Sequence, residues 1–397
     1  MHIDTRLARF DVAPGDGNRP TSTPIYQTAT FTQESALVFG EFDYSRSGNP
    51  TRRVLEEQLA SLERGRLGFA FGSGMAAISN LLRAAFLHGG GQRAHLIVSA
   101  DVYGGTSRLI ERLLAPAGVR VQVVDTRNLP LLASILERSG PGPALVLMET
   151  PSNPLLQVSD IAAIASLTHQ AGARLAVDNT ALSPYWQNPL ELGADVVIHS
   201  ATKHLGGHGD VTAGATVTSD PELAEAIGFL QNAEGTALAP FESWLLLRGI
   251  KTLAVRVAQE SRNALVLAEF LEEHPLVKRV HYPGLAAHPG HDLQAAQARG
   301  FGQLLSFETG DLELSRRLCE ETQLFSIAVS FGSTCTTISM PSHMSHASVP
   351  DEAFASGRVA HLPSDLVRVS VGLEDPRDLV EDLEHVLKGA ALALKTK

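Results

Sequence analysis

Residues 174–203 read RLAVDNTALSPYWQNPLELGADVVIHSATK, and this stretch decides the fold. It holds two apolar runs rich in β-branched residues, RLAVD (174–178) and DVVIHS (195–200). Runs that are apolar throughout are typical of strands buried on both faces of a parallel sheet. Asp178 ends the first run, and Ser200 and Lys203 lie at the end of the second. Ligands of such sheets bind beyond the carboxyl ends of the strands, so the stretch predicts a sheet and a site at its edge.

The same pattern continues on both sides of this stretch. Four more apolar runs are HLIVSA (95–100), VRVQVV (119–124), ALVLME (144–149) and AGATVT (213–218). Helical patterns separate the runs, at 74–88, 104–115, 130–138, 159–170 and 222–231. Buried strands that alternate with helices predict an α/β fold with a mostly parallel sheet covered by helices on both faces.

The length and a change in pattern indicate more than one domain. A single core stops growing at roughly 250–300 residues, and this chain has 397. From residue 242 a long helical stretch leads to strand candidates at 302–308 and 366–372 and to a final helix beginning near Pro376. Residues 1–48 carry many turn formers and little periodicity. We therefore expect an N-terminal arm (1–48), a large domain (49–241) and a smaller C-terminal α/β domain (242–397).

The composition is that of an ordinary globular protein. A formal charge of −11 and a pI of about 5.7 do not favour binding to nucleic acid. Two cysteines are too few for a disulfide framework, which suits a reducing compartment. The sequence shows neither a signal-peptide pattern nor a run of roughly 18 apolar residues that would span a membrane. We expect a cytoplasmic protein that acts on a small molecule.

Lys203 and Asp178 together predict a site for pyridoxal 5′-phosphate (PLP). A lysine amine condenses with an aldehyde, and a carboxylate that keeps a pyridine nitrogen protonated makes the ring an effective electron sink. Asp178 could instead cap a turn, which is common for an aspartate before an asparagine. At the end of a buried strand, however, an unpaired carboxylate is costly, so a cationic partner is expected. Ser200 and Thr202 flank the lysine as hydroxyl donors.

Two other segments complete the predicted site. GSGMAA (72–77) opens a helical pattern, where free backbone N–H groups and the helix dipole favour a phosphate. An isolated GSGM is more often a tight turn, and only the neighbouring motifs favour phosphate binding. DVYGGT (101–106) places Tyr103 after a strand, where its ring could stack on a pyridine and its hydroxyl could exchange a proton with substrate.

Arg368 in LVRVSVG is the candidate for binding a substrate carboxylate, because a guanidinium forms a bidentate fork. A salt bridge from Arg368 to Glu374 or Asp375 is the alternative. Tyr44 and Arg46 lie in the irregular arm, which could reach the phosphate of another subunit.

The histidine pairs do not predict a metal site. His204 and His208 have the i, i+4 spacing of helical ligands, but three glycines nearby disfavour a helix and the first histidine has no adjacent glutamate. The pairs His288/His291 and His343/His346 lie in loops and are expected to be solvated or locally bonded.

The chain resembles the PLP enzymes of cysteine and methionine metabolism, from TRLARF near the start to the last helix. The motifs that carry the resemblance are YSRSGNPTR (44–52), GSGMAA, DVYGGT, ETPSNP (149–154), VDNT, SATKH, LRGIKTL (247–253), MSHASVP (344–350) and RVSVGLEDPRDL (368–379). The resemblance implies a fold-type I PLP-dependent transferase fold, with a mostly parallel seven-stranded sheet in the large domain. It also implies a homotetramer made of two dimers with shared active sites.

The same resemblance implies a role for each candidate residue. Lys203 would bind the cofactor covalently and shuttle the proton from Cα, and Tyr103 would stack on the ring and share the acid–base work. Asp178 would pair with the pyridine nitrogen. The phosphate would be held by Gly74, Met75, Ser200 and Thr202, and by Tyr44 and Arg46 of the neighbouring subunit. Arg368, Ser330 and Asn153 would hold the substrate carboxylate and nearby cofactor oxygens.

Within the family, residues 229–253 and 325–350 are similar to the plant-type cystathionine β-lyases. Val329-Ser330 stands where γ-lyases and γ-synthases usually carry a glutamate before the serine, although methionine γ-lyases are similar at this position. The expected reaction is β-elimination from cystathionine. The alternatives are a γ-lyase, γ-synthase or methionine γ-lyase of the same family, and a PLP-binding protein without catalytic activity. The presence of all four candidate residues argues against a PLP-binding protein without catalytic activity; these residues are Lys203, Asp178, Tyr103 and Arg368.

Overall fold

The structure is a computed structural model that describes residues 1–88, 94–139, 145–344 and 362–395. The motif MSHASVP, from Ser345 onward, and His346 lie outside the described residues.

A seven-stranded sheet forms the centre of the large domain, in the order β1-β7-β6-β5-β4-β2-β3. Its strands are β1 (Leu67–Phe71), β2 (His95–Ser99), β3 (Arg120–Val124), β4 (Leu145–Glu149), β5 (Arg174–Asp178), β6 (Val196–His199) and β7 (Gly214–Thr218). β2 to β6 pair in parallel, whereas β7 is antiparallel to both of its neighbours. The predicted mostly parallel sheet is confirmed. The six predicted apolar runs form six of its seven strands, β2 to β7.

The strand β1 was not predicted from the sequence. It is short, it begins exposed at the sheet edge, and it contains a glycine. A Cβ at Gly68 would overlap the backbone carbonyl of Glu56, so the glycine allows the strand to lie directly against the preceding helix.

Helices cover the sheet. Those associated with the large domain are α1 (Ile3–Ala8), α2 (Pro50–Leu62), α3 (Gly74–His88), α4 (Gly104–Leu109), α5 (Leu129–Arg138), α6 (Ile161–Gln170), α7 (Ser183–Trp186), α8 (Pro221–Glu234) and α9 (Pro240–Ile250). α4 continues into a π-helical turn at Ile110–Leu114, and a 3₁₀ turn spans Pro189–Leu192. The capping residues explain several starts: Asn49, Asn128, Asp160 and Asp220 each accept a hydrogen bond from the first turn of the helix that follows.

A second, five-stranded sheet forms the C-terminal half, in the order β10-β11-β12-β9-β8. Its strands are β8 (Arg279–His281), β9 (Leu304–Glu308), β10 (Ser326–Ile327), β11 (Thr337–Ser339) and β12 (Leu366–Ser370). The helices are α10 (Leu253–Glu273), α11 (His291–Gln297), α12 (Leu312–Glu321) and α13 (Pro376–Lys395), with a 3₁₀ turn at Pro341–His343. The helical stretch predicted from residue 242 is two helices, α9 and α10, which are interrupted at Lys251 and Thr252.

The two hydrophobic cores meet inside α10. Leu253 and Val257 pack with the α2 side of the large domain, whereas Ala264, Leu267 and Leu271 pack with β9, β12 and α13. The predicted boundary at residue 242 therefore precedes the point at which the core changes. Part of the predicted arm also packs on its own chain, because Leu7 of α1 is 1% exposed in the core that contains α2.

Within the described ranges, every helix is too short or too polar to cross a bilayer.

Candidate active site

A cavity of about 360 Å³ lies at the carboxyl ends of β4, β5 and β6. Parallel strands end at one edge of a sheet, so polar residues that are distant in sequence meet there. Ten of the twelve predicted site residues line it: Gly74, Met75, Tyr103, Asn153, Asp178, Ser200, Thr202, Lys203, Ser330 and Arg368.

Lys203 lies in the turn that follows β6, and its side chain points into the cavity. Its Nζ donates to Ser330 Oγ at 2.6 Å and lies 5.2 Å from the centre of the Phe331 ring. Burial, with the nearby positive charge of Arg368, lowers the pKa of the Lys203 amine to about 8. A large fraction of this amine is therefore neutral near pH 8, as a nucleophile or a base must be.

Asp178 is the last residue of β5 and is 9% exposed. Its Oδ1 accepts hydrogen bonds from the backbone N–H of Thr180, at 3.0 Å, and from the Thr180 hydroxyl. Burial raises the pKa of the Asp178 carboxyl, whereas these hydrogen bonds and the charges of His199 and Lys203 act in the opposite direction. Asp178 therefore organises the turn through one oxygen and also lines the cavity, and its pairing with a pyridine nitrogen stays a prediction.

The sequence reasoning missed Thr180 and Glu149. Thr180 connects Asp178 to the lysine segment, because its hydroxyl also accepts from the Ser200 backbone N–H at 2.8 Å. A hydroxyl residue two positions after Asp178 was the available signal. Glu149 ends β4, directly opposite Asp178 in the parallel pairing, and accepts from the Tyr103 backbone N–H at 2.9 Å. Burial and the adjacent Asp178 raise the pKa of Glu149 well above its ordinary value.

Gly74 begins α3 where the helix approaches the lysine segment. A Cβ at this position would lie 2.9 Å from Ser200 Cβ, so a glycine permits the close approach. Gly74 and Met75, at the start of this helix, line the cavity together with Ser200 and Thr202. The Thr202 hydroxyl exchanges hydrogen bonds with the backbone of Ala213, so it must rotate before it can donate to a phosphate.

Tyr103 precedes α4 and is 39% exposed at the cavity. A Cβ at Gly105 would overlap the Tyr103 ring, so the first glycines of α4 allow the ring to fold back over the helix start. The ring is in a position to stack on a flat ligand in the cavity.

Arg368 on β12 is 3% exposed and reaches across to the large domain. Its Nη1 donates to Asn153 Oδ1 at 2.9 Å, and its Nη2 donates to the Ser330 carbonyl at 2.7 Å. The buried Nε has no hydrogen-bond partner among the described residues, so the guanidinium retains a donor for a ligand. The alternative salt bridge is not formed, because Glu374 accepts hydrogen bonds from Thr336 and Asp375 pairs with Arg377.

Tyr44 and Arg46 do not line the cavity of their own chain. Tyr44 is 43% exposed, and the Arg46 guanidinium lies 5.3 Å from the centre of its ring. Their predicted contact with a neighbouring subunit's phosphate stays a prediction.

The histidines have structural contacts. His204 is buried against Phe331 and Gln303, and burial lowers its pKa to about 3. His208 bonds the Gly206 carbonyl, and His288, His291 and His343 bond nearby backbone groups. No cluster of three potential metal ligands occurs among the described residues.

The cavity residues fit PLP. The start of α3 and Ser200 suit a phosphate, Lys203 suits an aldehyde, and the carboxylate of Asp178 suits a pyridinium nitrogen. The incompletely bonded Arg368 leaves a place for the carboxylate of an amino-acid substrate.

Comparisons with known proteins agree with this geometry. A sequence model of the family "Cys/Met metabolism PLP-dependent enzyme" matches residues 4–388. The chain is 48% identical to the chloroplastic cystathionine β-lyase of Arabidopsis thaliana over 388 residues, covering 98% of this chain and 80% of that protein. It is 43% identical to a cystathionine γ-lyase of Bacillus subtilis, covering 98% of this chain and all of that protein.

Among solved structures, cystathionine γ-synthase from Xanthomonas oryzae, in complex with aminoacrylate and cysteine, is similar with a TM-score of 0.93 and 37% identity. The alignment covers 99% of each chain. The lysine, acid and arginine of the cavity, taken with a family match along nearly the whole sequence, lead to one conclusion: the chain belongs to the PLP-dependent enzymes of cysteine and methionine metabolism, and its cofactor is pyridoxal phosphate.

Proposed function

We propose that this enzyme is a carbon–sulfur lyase that converts L-cystathionine to homocysteine, pyruvate and ammonia. The observation that carries the lyase assignment is the position of Lys203, with a pKa lowered to about 8, in one cavity with Asp178 and Arg368. Bound PLP supplies an electron sink for the charge that develops at the substrate Cα.

The chain's own residues perform the remaining steps. Arg368 binds the substrate α-carboxylate and thereby orients the Cα–H bond, with Asn153 and Ser330 holding the guanidinium. The neutral Lys203 amine removes the Cα proton, and Ser330 Oγ at 2.6 Å holds that amine in the cavity. The C–S bond then breaks, and Lys203 or Tyr103 returns a proton to the leaving sulfur. Water hydrolyses the remaining three-carbon fragment to pyruvate and ammonia.

Preference for the β position is supported by the similarity to plant cystathionine β-lyases and by Val329. Val329 lines the cavity with an apolar side chain beside Ser330. A γ-directed reaction requires a second deprotonation, at Cβ, so the two reactions differ in the proton transfers that the site must perform.

Incubation with L-cystathionine and analysis of the products test the proposal. Pyruvate with homocysteine supports β-elimination. 2-Oxobutyrate with cysteine would instead identify a cystathionine γ-lyase, the second candidate, which the similarity to the Bacillus subtilis enzyme favours.

The role of Lys203 has a separate test. We expect Lys203→Ala to lose nearly all turnover and the visible absorption of the covalently bound cofactor, because Lys203 is the one lysine among the described residues that line the cavity. Lys251→Ala is the matched control, since Lys251 lies over Phe10 and not in the cavity. An active, yellow Lys203→Ala protein would contradict the assignment.

We further propose a homotetramer built from two dimers with shared active sites. Three apolar side chains of the arm, Leu37, Val38 and Phe39, are 92, 55 and 67% exposed in the single chain. Contact with a second copy would bury them and bring Tyr44 and Arg46 to that copy's cavity.

A further inference from the structure

A buried polar cluster lies next to the Asp178 end of β5. We call it the Glu63 cluster; its members are Glu63, Asn179, Gln187, Asn188 and His199, all between 0 and 3% exposed. Burying five polar side chains is costly unless each makes hydrogen bonds, so the bonding pattern of the cluster is informative.

Backbone carbonyls determine how the three amides are oriented. Gln187 Nε2 donates to the Thr150 carbonyl at 3.0 Å, Asn179 Nδ2 to the Gln187 carbonyl at 2.9 Å, and Asn188 Nδ2 to the Leu62 carbonyl at 2.9 Å. A carbonyl oxygen can only accept, so each of these positions must be an amide nitrogen rather than an oxygen.

The same nitrogens meet both oxygens of Glu63. Asn179 Nδ2 donates to Oε1 at 2.8 Å, and Asn188 Nδ2 donates to Oε2 at 3.2 Å. Neither amide nitrogen could accept the proton of a carboxylic acid, so among the cluster members that contact Glu63, His199, through Nε2, is the one that could take that proton. The surroundings of Glu63 therefore favour the ionised carboxylate.

His199 supplies the counter-charge. Its Nε2 lies 2.6 Å from Glu63 Oε1, with side-chain exposures of 2 and 1% for the two residues. A buried carboxylate requires a cation or several hydrogen bonds, and among the described residues His199 is the basic group in direct contact with it. Arg299 reaches the cluster through Asn188, because it donates to Asn188 Oδ1 at 3.0 Å. An imidazolium at His199 would meet this requirement.

His199 and Asp178 end adjacent strands. The Asn179 backbone N–H, one residue after Asp178, donates to the Ile198 carbonyl, one residue before His199, at 2.9 Å. The backbones of neighbouring strands lie about 4.8 Å apart and both side chains are buried, so little water screens the His199 charge from Asp178. The positive charge of His199 lowers the pKa of the Asp178 carboxyl, against the effect of burial.

We propose that His199, held protonated by Glu63, is a positioning residue that keeps Asp178 ionised and so keeps the pyridine nitrogen of bound PLP protonated. The charges then alternate from Glu63 to His199, Asp178 and the cofactor ring. Lys203 is the other cation that acts on Asp178, but its amine is the group expected to bind the cofactor, so it does not serve as a permanent counter-charge. The proposal depends on the cofactor and not on which thioether is the substrate, so the product assay and the test below can fail independently.

Two substitutions separate charge from hydrogen bonding. His199→Gln retains an N–H near the position of Nε2 but carries no charge, and Glu63→Gln removes the carboxylate that holds the charge. Glu308→Gln is a matched control, because Glu308 forms a similar buried pair with His281, Nε2 to Oε1 2.8 Å, in the C-terminal domain.

The measurement is the protonation of the cofactor itself. Each holoenzyme is reconstituted with PLP carrying ¹⁵N in the ring, and the nitrogen chemical shift is followed against pH. We expect His199→Gln and Glu63→Gln to lose the ring proton at a pH lower by about one unit, a tenfold change in proton affinity, and Glu308→Gln to be unchanged.

A purely structural role for the cluster predicts lower thermal stability with an unchanged nitrogen titration, and that outcome would overturn the proposal. If the variants fail to bind PLP, neutron diffraction from the unaltered holoenzyme at pH 7 decides instead. Deuterium on both ring nitrogens of His199 is the expected result, and a neutral ring refutes the proposal.

Discussion

At the residue scale, burial sets the chemistry of the cavity more than any single contact does. Lys203 and Arg368 are both cations in a space of about 360 Å³, and each has a lowered pKa because desolvation disfavours its charged form. Lys203 loses the proton more readily since its ordinary pKa is lower. One cation is thus readily deprotonated, while the other remains charged.

The lowered pKa of Lys203 predicts the pH dependence of cofactor capture by the apoenzyme. Only the neutral amine attacks an aldehyde, so the rate should rise with pH and level off above about 8. Stopped-flow absorbance after addition of PLP measures this rate, with Nα-acetyl-lysine as the reference amine of ordinary pKa. A rate that continues to rise to pH 10 would contradict the lowered pKa.

Arg368→Lys tests carboxylate recognition. Lysine keeps the positive charge but loses the planar fork that bonds Asn153 and Ser330 and still offers Nε. We expect KM for the amino-acid substrate to rise by about tenfold or more, corresponding to about 1.4 kcal/mol or more. The visible spectrum of the bound cofactor should be unchanged. A variant with unaltered KM would remove Arg368 from substrate binding.

At the element scale, the break between α9 and α10 positions the lysine segment. Gly249, near the end of α9, lies so close to Gly206 that a Cβ would overlap the Gly206 carbonyl. Arg256 on α10 donates through Nη2 to the carbonyls of both Gly249 and His204, at 2.9 and 3.0 Å. α9 and α10 therefore contact one side of the backbone segment that follows Lys203.

Two helical glycines make a matched pair for testing this contact. Gly249→Ala should destabilise the protein by about 1–3 kcal/mol, because the new methyl group forces a backbone shift. Gly389→Ala in α13 meets only the end of Arg317, at 3.8 Å, and should stabilise by roughly 0.5–1 kcal/mol through lower chain entropy. Denaturant unfolding of the two holoenzymes measures both effects. If the two substitutions changed the free energy of unfolding equally, the contact between α9 and Gly206 would not be tight.

At the scale of the whole molecule, the cavity is built from both sheets. Lys203 and Asp178 come from the large sheet, whereas Arg368 comes from β12 and Ser330 from the segment between β10 and β11. Ser330 has a positive φ of 79°, a conformation that is costly for serine, and its side chain and carbonyl contact Lys203 and Arg368. The site therefore combines side chains from both sheets.

Mixing of inactive variants tests the proposed shared sites. Lys203→Ala lacks the reactive amine, and a double variant, Tyr44→Ala with Arg46→Ala, lacks the arm contacts. If the arm completes a neighbour's cavity, dissociation and reassociation of the mixture restores activity, because some sites then combine an intact lysine with an intact arm. Light scattering should give a tetramer. A monomer, or a mixture without recovery, would refute the shared site.

The cytoplasmic location expected from the cysteine count stays a prediction, and several similar relatives are named as chloroplastic.

The sequence by itself determined the elements whose signal is local. The six apolar runs became strands, and the predicted site residues of the large sheet line the cavity because parallel strands bring their ends to one edge; Arg368 and Ser330 reach it from the second sheet. Only the tertiary structure decided what depends on contacts between distant segments: the edge strand β1, the change of core within α10, and the place of Glu63, 136 residues before its partner His199. A buried carboxylate leaves no local pattern in the sequence. The hydrogen-bond donors and the cation that stabilise it come from other elements and contact it only after the chain has folded.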